Sequence, residues 1–256
     1  MAVSGLAGKR GLVIGIANDQ SIAYGCAKAF RAAGADLALT FLNEKAEPHV
    51  RPLAEGLGCP IIERCDVQRP GELEAVFDRV RAAWGGLDFV LHSIAYAPLA
   101  DLHGRLVDSS SAGFTQAMDI SCHSFVRLAH LAEPLMPQGG SLLTVSYYGA
   151  EKVVAHYNLM GPVKAALESS VRYLAAELGP GGIRVNALSP GPLKTRAASG
   201  IGHFEELLSL AAAKSPEHRT IDIDDVGALA AFLVSDAAKA ITGNTEYVDA
   251  GYHVID

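Results

Sequence analysis

Between Ser146 and Lys164 the sequence reads SYYGAEKVVAHYNLMGPVK, where three tyrosines and two lysines offer two possible acid/base pairs. Tyr148 and Lys152 stand four residues apart, Tyr157 and Lys164 seven apart. A tyrosine beside a lysine can hold a developing oxyanion, because the ammonium favours phenolate character and draws the phenol below its usual pKa of about 10. Residues four apart converge only on a helical turn. Tyr148 follows directly on the apolar run SLLTVS, with Gly149 next and the Val153-Val154 pair close behind, so no helix is expected at once. Lys152 and Glu151 read as solvated loop charges. Tyr157 falls just before or at the start of a long helical segment, since Pro162 is best tolerated in a first turn. Seven residues at about 100° each close to within roughly 20° of two turns, about 10 Å along the axis. Tyr157 and Lys164 then project from one side without touching, and theirs is the pair the spacing favours.

The elements that must position this pair follow from the apolar pattern. Short runs, GLVIGI, LALTF, CPIIE, LDFVLHS, SLLTVS, IRVNALS and EYVDAG, alternate with amphipathic segments, which predicts an α/β chain with a Rossmann-like, doubly wound parallel sheet of about seven strands. Ile22, Cys26, Ala29, Phe30 and Ala33 recur at helical spacing after the first strand, as do Leu73, Phe77, Val80 and Trp84 before the fourth. The helix that carries Lys164 places Val163, Leu167, Val171, Leu174 and Leu178 on one face and stops at Gly179-Pro180. The rhythm breaks once. After the sixth strand, a Pro/Gly-rich loop and a helical piece occupy residues 190–214, a position suited to a substrate lid because ligands of open α/β sheets bind beyond the carboxyl ends of the strands. With no linker composition anywhere, residues 1–256 are expected to form one domain.

The turn after the first strand reads GIANDQSIAYG, which is not a G-x-G-x-x-G. It can still serve a dinucleotide: Gly15 permits a tight turn, the helix beginning near Ser21 offers free N–H groups to a pyrophosphate, and Ala23 and Gly25 allow close approach. Small residues here would equally let a helix pack on a sheet. Asp66 and Val67 close the third strand and Ile94 follows the fourth, on the rim where an adenine and a nicotinamide ribose would rest; Asp66 also fits a solvated strand-end acid. A net charge of −7 gives no general attraction to nucleic acid or to an anionic membrane surface. Cys26, Cys59, Cys65 and Cys122 form no C-x-x-C pair and the nine histidines show no zinc-type spacing, so a reduced cytoplasmic chain without a metal is expected. The first apolar run is cut short by Asn18 and Asp19, which makes it a buried strand and neither a signal peptide nor a membrane span.

Taken together, the G-x5-S-x-A-x-G turn, the CDV and HSIAYAP segments, SYYGAEK, YNLMGPVKAALE, RVNALSPGP and a late ITG resemble the NADH-dependent enoyl-acyl-carrier-protein reductases, divergent members of the short-chain dehydrogenase/reductase superfamily. The most specific part is the seven-residue tyrosine–lysine spacing, where the superfamily usually has four. The resemblance implies reduction of a 2-enoyl thioester in fatty acid synthesis: hydride passes to the β-carbon, Tyr157 holds the enolate oxygen, Tyr147 is the second active-site tyrosine, and Lys164 reaches the nicotinamide ribose. It implies that Gly15, Ser21, Ile22, Asp66, Val67, Ile94, Lys164 and Leu193 line NADH, with NADPH less favoured, and that Ala97, Met160 and Phe204 face the acyl chain. It also implies a homotetramer, with the long helices around Phe125 and Leu174 in subunit contacts.

Two departures stand out. Leu42 lies at the end of the second strand where the family often has a polar side chain near the adenosine, and Gly202, Glu205 and Glu206 occupy lid positions that are basic in well-known members and associated with docking the acidic carrier protein. Two acids there would repel such a partner, which leaves carrier protein and coenzyme A both open as the thiol carrier. Other readings are a β-ketoacyl reductase, an enoyl-CoA reductase, or a dinucleotide sensor without turnover. The seven-residue spacing argues against the first, and retention of Tyr147, Tyr157 and Lys164 together argues against the last.

Overall fold

The computed structural model describes residues 5–195 and 204–255. Seven strands, β1 (Arg10–Ile14), β2 (Asp36–Phe41), β3 (Ile61–Arg64), β4 (Phe89–His92), β5 (Gly140–Val145), β6 (Ile183–Pro190) and β7 (Thr245–Val248), form one sheet in the order β3-β2-β1-β4-β5-β6-β7. All neighbours pair in parallel. Each strand coincides with one of the apolar runs; the five inner strands are buried almost continuously on both faces, as a parallel sheet covered by helices requires, and the edge strands β3 and β7 are half-buried.

Between the strands run α1 (Ile22–Ala32), α2 (Glu47–Gly56), α3 (Glu72–Trp84), α4 (Leu99–His103), α5 (Ser111–Met118), α6 (Ser124–Ala132), α7 (Met160–Leu178), α8 (Phe204–Lys214) and α9 (Ile223–Val234). One core cluster joins the sheet to α3, α6 and α7, the other to α1, α2 and α9. Helix α9 opens on a capping box between Asp222 and Asp225, and α3 ends at Gly85 in the left-handed conformation. Helix α7 begins two residues before Pro162 and stops at Gly179-Pro180, as its sequence predicts. Strand order reverses between β1 and β4, so the crevice for a ligand opens at the carboxyl ends of these two strands.

Phe125 is fully buried and Leu174 nearly so within the chain's own core, because the face of α7 that carries Leu174 packs on the sheet; its outer face shows Tyr173, 70% exposed. One expectation is corrected: a short turn of 3-10 helix forms at Tyr148–Ala150, extended by a bond from Lys152 N–H to the Tyr148 carbonyl, ahead of the Val153-Val154 pair that was expected to prevent it. No helix among the described residues is long and apolar enough to cross a membrane.

Candidate active site

The turn after β1 is built around two small side chains. Gly15 has φ +116, and a Cβ there would overlap the carbonyl of Ser93 just beyond β4, so neither conformation nor space admits another residue. Ser21, expected at the helix start, uses its Oγ to accept from the N–H groups of Ala17 and Asn18 (3.0 Å each), which ties the loop together and leaves the N-terminus of α1 with no side-chain cap. The uncapped N–H groups of a helix are a standing site for an anion. Farther along the same edge, Asp66 turns the chain after β3: its N–H donates to Glu72 Oε2 (2.8 Å) and its carboxylate accepts from Gln68 N–H. Val67 is buried and its carbonyl accepts from Arg127. Ile94, just after β4, is partly buried against the core.

A cavity of about 340 Å³ opens beside this turn. It gathers seven of the expected residues, Ile22, Ala97, Tyr147, Tyr157, Met160, Lys164 and Leu193. Gly15, Ser21, Asp66, Val67 and Ile94 do not line it and sit instead along the ends of β1, β3 and β4. Phe204 opens α8, and its side chain lies outside the described residues, as do Gly200 and Gly202 of the expected lid. From the 190–214 segment, Pro190, Gly191, Pro192, Leu193, Thr195 and Leu207 reach the cavity wall.

Tyr147 and Tyr157 meet in this cavity, their rings edge to face with centroids 4.7 Å apart. Tyr148 faces elsewhere, against Tyr252 at 5.9 Å, and Lys152 is exposed. The helical geometry expected for Tyr157 is replaced by a tighter one: it lies three residues ahead of α7, between His156 and Asn158, both in the left-handed region at φ 64 and φ 40. Asn158 holds that turn by donating from Nδ2 to the Leu102 carbonyl at 2.8 Å. Lys164, 4% exposed, donates from Nζ to the Val145 carbonyl at the end of β5 (2.6 Å).

Burial dominates the electrostatics. It lowers the Lys164 ammonium to about 8 and pushes both phenols well above their ordinary value, so Tyr157 is a neutral hydroxyl donor and not a phenolate. The Tyr147 hydroxyl is buried without a partner among the described residues, an orphan in a site built to receive something polar. Beneath the cavity His92 is fixed by hydroxyls. Ser124 Oγ donates to the Ile120 carbonyl (2.6 Å), so it accepts from His92 Nε2–H (2.7 Å), and His92 Nδ1 accepts from Thr144 Oγ1 (3.0 Å). Burial holds this imidazole neutral, down to about 3. The π-helical turn Asp119–His123 brings Ser121 to Tyr96, where its Oγ accepts from the Tyr96 N–H (2.9 Å) and donates to the Tyr96 carbonyl (3.0 Å), clamping a wall of the cavity.

Ser146, Gly149, Ser121 and Glu168 were not singled out from the sequence. Gly149 had a signal, as a glycine between two tyrosines: a Cβ there would overlap the Tyr157 ring and stand 3.3 Å from that of Tyr147. The others are polar residues on buried faces, legible only once the faces are known.

Residues 15–253 match the family described as Enoyl-(Acyl carrier protein) reductase. Enoyl-[acyl-carrier-protein] reductase [NADH] 1 of Rhizobium meliloti is 49% identical over 248 residues, covering 97% of this chain and 91% of the relative. The solved structure of the enoyl-(acyl-carrier-protein) reductase from Anaplasma phagocytophilum in complex with NAD has a TM-score of 0.95 at 50% identity, covering 100% of this chain and 98% of that one. That of the Bacillus cereus enoyl-acyl carrier protein reductase with NADP+ and indole naphthyridinone has a TM-score of 0.96 at 42% identity, over 99% and 100% of the two chains. With a family match across nearly its whole length and relatives close to half identical, the chain belongs to the enoyl-acyl-carrier-protein reductases.

Proposed function

We propose that this cavity reduces a trans-2-enoyl thioester with NADH, Tyr157 and Tyr147 facing the substrate and Lys164 the cofactor. The observation that carries the assignment is the pair of neutral, buried tyrosines edge to face in an apolar cavity, with one buried ammonium on its wall. The residues present fit a dinucleotide: the uncapped start of α1 suits a pyrophosphate, while Ile22, Lys164 and Leu193 border the cavity where a nicotinamide riboside would enter. Asp66, Val67 and Ile94 would complete the cofactor's edge. Bound there, NADH supplies the hydride that the β-carbon of the substrate accepts.

Negative charge then gathers on the thioester oxygen as an enolate forms. A neutral phenol meets that charge best, because its O–H can donate at the moment the charge appears, and Tyr157 takes this role. A proton finally adds at the α-carbon. Tyr147, with its unpartnered hydroxyl beside the Tyr157 ring, orients the thioester end. Lys164, held by the Val145 carbonyl, keeps two N–H groups for ribose hydroxyls. Ala97 and Met160 line the acyl end together with Leu99 and Leu102. Residues 190–214 serve as the lid, since both of its described parts contribute to the cavity wall.

Relatives are named for acyl-carrier-protein substrates and NADH, and the same substrate class and cofactor are assigned here. The further proposals are one reductase domain over residues 1–256, a cytoplasmic location and a homotetramer, the last supported by the exposed Tyr173 on the outer face of α7. Oxidation of NADH followed with crotonyl-CoA, longer enoyl-CoA esters, the matching carrier-protein thioesters and a β-ketoacyl thioester tests the assignment. Turnover of the enoyl series with none of the β-ketoacyl ester is expected; the reverse would make the chain a β-ketoacyl reductase.

A further inference from the structure

Glu168 lies on α7 one helical turn beyond Lys164, and both side chains reach the end of β5. Lys164 Nζ donates to the Val145 carbonyl (2.6 Å), and Ser146 Oγ donates to Glu168 Oε1 (2.5 Å). Two consecutive residues of the sheet edge are thus held by two side chains of one helix, and the next residue is Tyr147. Ser146 and Lys164 line the cavity, whereas Glu168 stands behind them, 5% exposed. Burying a carboxyl group costs several kcal/mol unless it is paired, and the neighbouring positions Val163, Leu167 and Val171 show that an apolar side chain packs well on this face.

The groups around the two charges narrow what Glu168 does. Lys164 faces Cys122 from the π-helical turn and His92 from β4; burial holds the first as a thiol and the second as a neutral imidazole. Glu168 faces Ser146 from β5, Glu151 from the turn after it, Arg172 from its own helix, Tyr157, and Tyr247 from β7. Two of these groups favour the Lys164 ammonium, Cys122 first and Glu168 after it; Glu168 is the carboxyl of the two, one turn along the same helix, and burial pushes that carboxyl up.

We propose that Glu168 is a positioning residue for the reduction assigned above, anchoring Ser146 and with it Tyr147, and standing as the buried counter-charge of Lys164. The inference rests on that assignment for its kinetic arm and on cofactor binding alone for the other.

The test compares Glu168→Gln, Glu168→Ala and Ser146→Ala in the full chain, by fluorescence titration with NADH from about pH 6 to about pH 10 and by steady-state kinetics with an enoyl thioester. Glu168→Gln keeps an oxygen to accept from Ser146 but removes the charge. It should hold kcat within about threefold near neutral pH and move the alkaline fall in NADH affinity down by about half a pH unit or more. Ser146→Ala should leave that alkaline limb in place and lower kcat roughly tenfold at unchanged NADH affinity, since a small misplacement of Tyr147 is enough. Glu168→Ala should do both. An alkaline limb in Glu168→Gln identical to that of the unaltered chain overturns the counter-charge, and an unaltered kcat in Ser146→Ala overturns the anchor. Loss of thermal stability alone in all three makes Glu168 structural and overturns both. If Glu168→Ala fails to fold, the other two variants decide. If the unaltered chain binds NADH but reduces no enoyl thioester, the functional assignment fails while the titration still reads Glu168.

Discussion

Tyr147 and Tyr157 stand edge to face with centroids 4.7 Å apart, while Tyr148, adjacent to the first, packs on Tyr252 away from the cavity. The separation follows from the backbone. Tyr147 is extended, at φ −159 and ψ 148, and successive side chains of an extended chain point to opposite sides. The left-handed residues His156 and Asn158 then turn Tyr157 back onto Tyr147.

The two tyrosine–lysine pairs should separate cleanly on substitution. Tyr157→Phe should lower kcat by about 10²- to 10³-fold with little change in NADH affinity, the loss expected for one donor to a developing oxyanion. Lys164→Ala should weaken NADH binding instead. Tyr148→Phe and Lys152→Ala should be nearly silent, since one ring faces Tyr252 and the other side chain is exposed. Activity lost in Lys152→Ala and kept in Lys164→Ala would reverse the assignment.

Gly149 offers a more local test. Its missing Cβ leaves room for the Tyr157 ring and nearly touches that of Tyr147. Gly149→Ala should therefore displace both phenols and cut kcat by about tenfold or more, because catalysis is lost steeply when a group is misplaced by about 1 Å. NADH affinity should hold, as Lys164 and α1 are untouched. An alanine variant of normal kcat would show that the rings can shift without consequence.

The buried titrating groups both make the fold more stable as pH rises, one at each end of the scale. Lys164 keeps its ammonium only up to about 8, so NADH affinity should fall as pH rises through that value. Stability should move the other way: between about 8 and the ordinary value near 10.4, the unfolded chain binds a proton the folded one has released, so rising pH favours the fold by up to about 3 kcal/mol from this group. At the acid end, His92 stays neutral down to about 3, and below about 6.5 the unfolded chain is protonated first. Its contribution is present above that range and is lost as pH falls, roughly 3 kcal/mol by about pH 4. Denaturant titrations across pH check both signs, and His92→Gln should flatten the acid limb.

Much of this was legible in the sequence because the signals were redundant. Each strand is an apolar run bounded by turn residues, and the stop of α7 is written as Gly179-Pro180. The Tyr157/Lys164 pair was found by spacing, yet its helical geometry was not, since nothing local announces that His156 and Asn158 adopt positive φ. Glu168, Ser146 and Ser121 escaped for a different reason. Their partners lie 22 to 25 residues away in the chain, and only the packing of α7 and the π-helical turn on the sheet edge brings them together.

The last prediction concerns the carrier. Glu205 and Glu206 lie in the first turn of α8, where the helix dipole favours acids whatever the partner, and Glu205 pairs with Lys194 at 2.9 Å. Both members of that pair are about three-quarters exposed, so it is worth only about 0–1 kcal/mol, and a docking partner could exchange it. An acidic carrier protein that approaches along α8 meets these two acids. Glu205→Arg with Glu206→Lys removes the repulsion and frees Lys194, and kcat/KM for a carrier-bound enoyl substrate should rise severalfold, mainly through association rate and mostly at low salt. The same variant should change little on a CoA thioester, whose smaller headgroup need not cross the helix. Unchanged carrier efficiency at low salt would place docking on another face, and would leave the two acids as what their position already explains, a charged first turn.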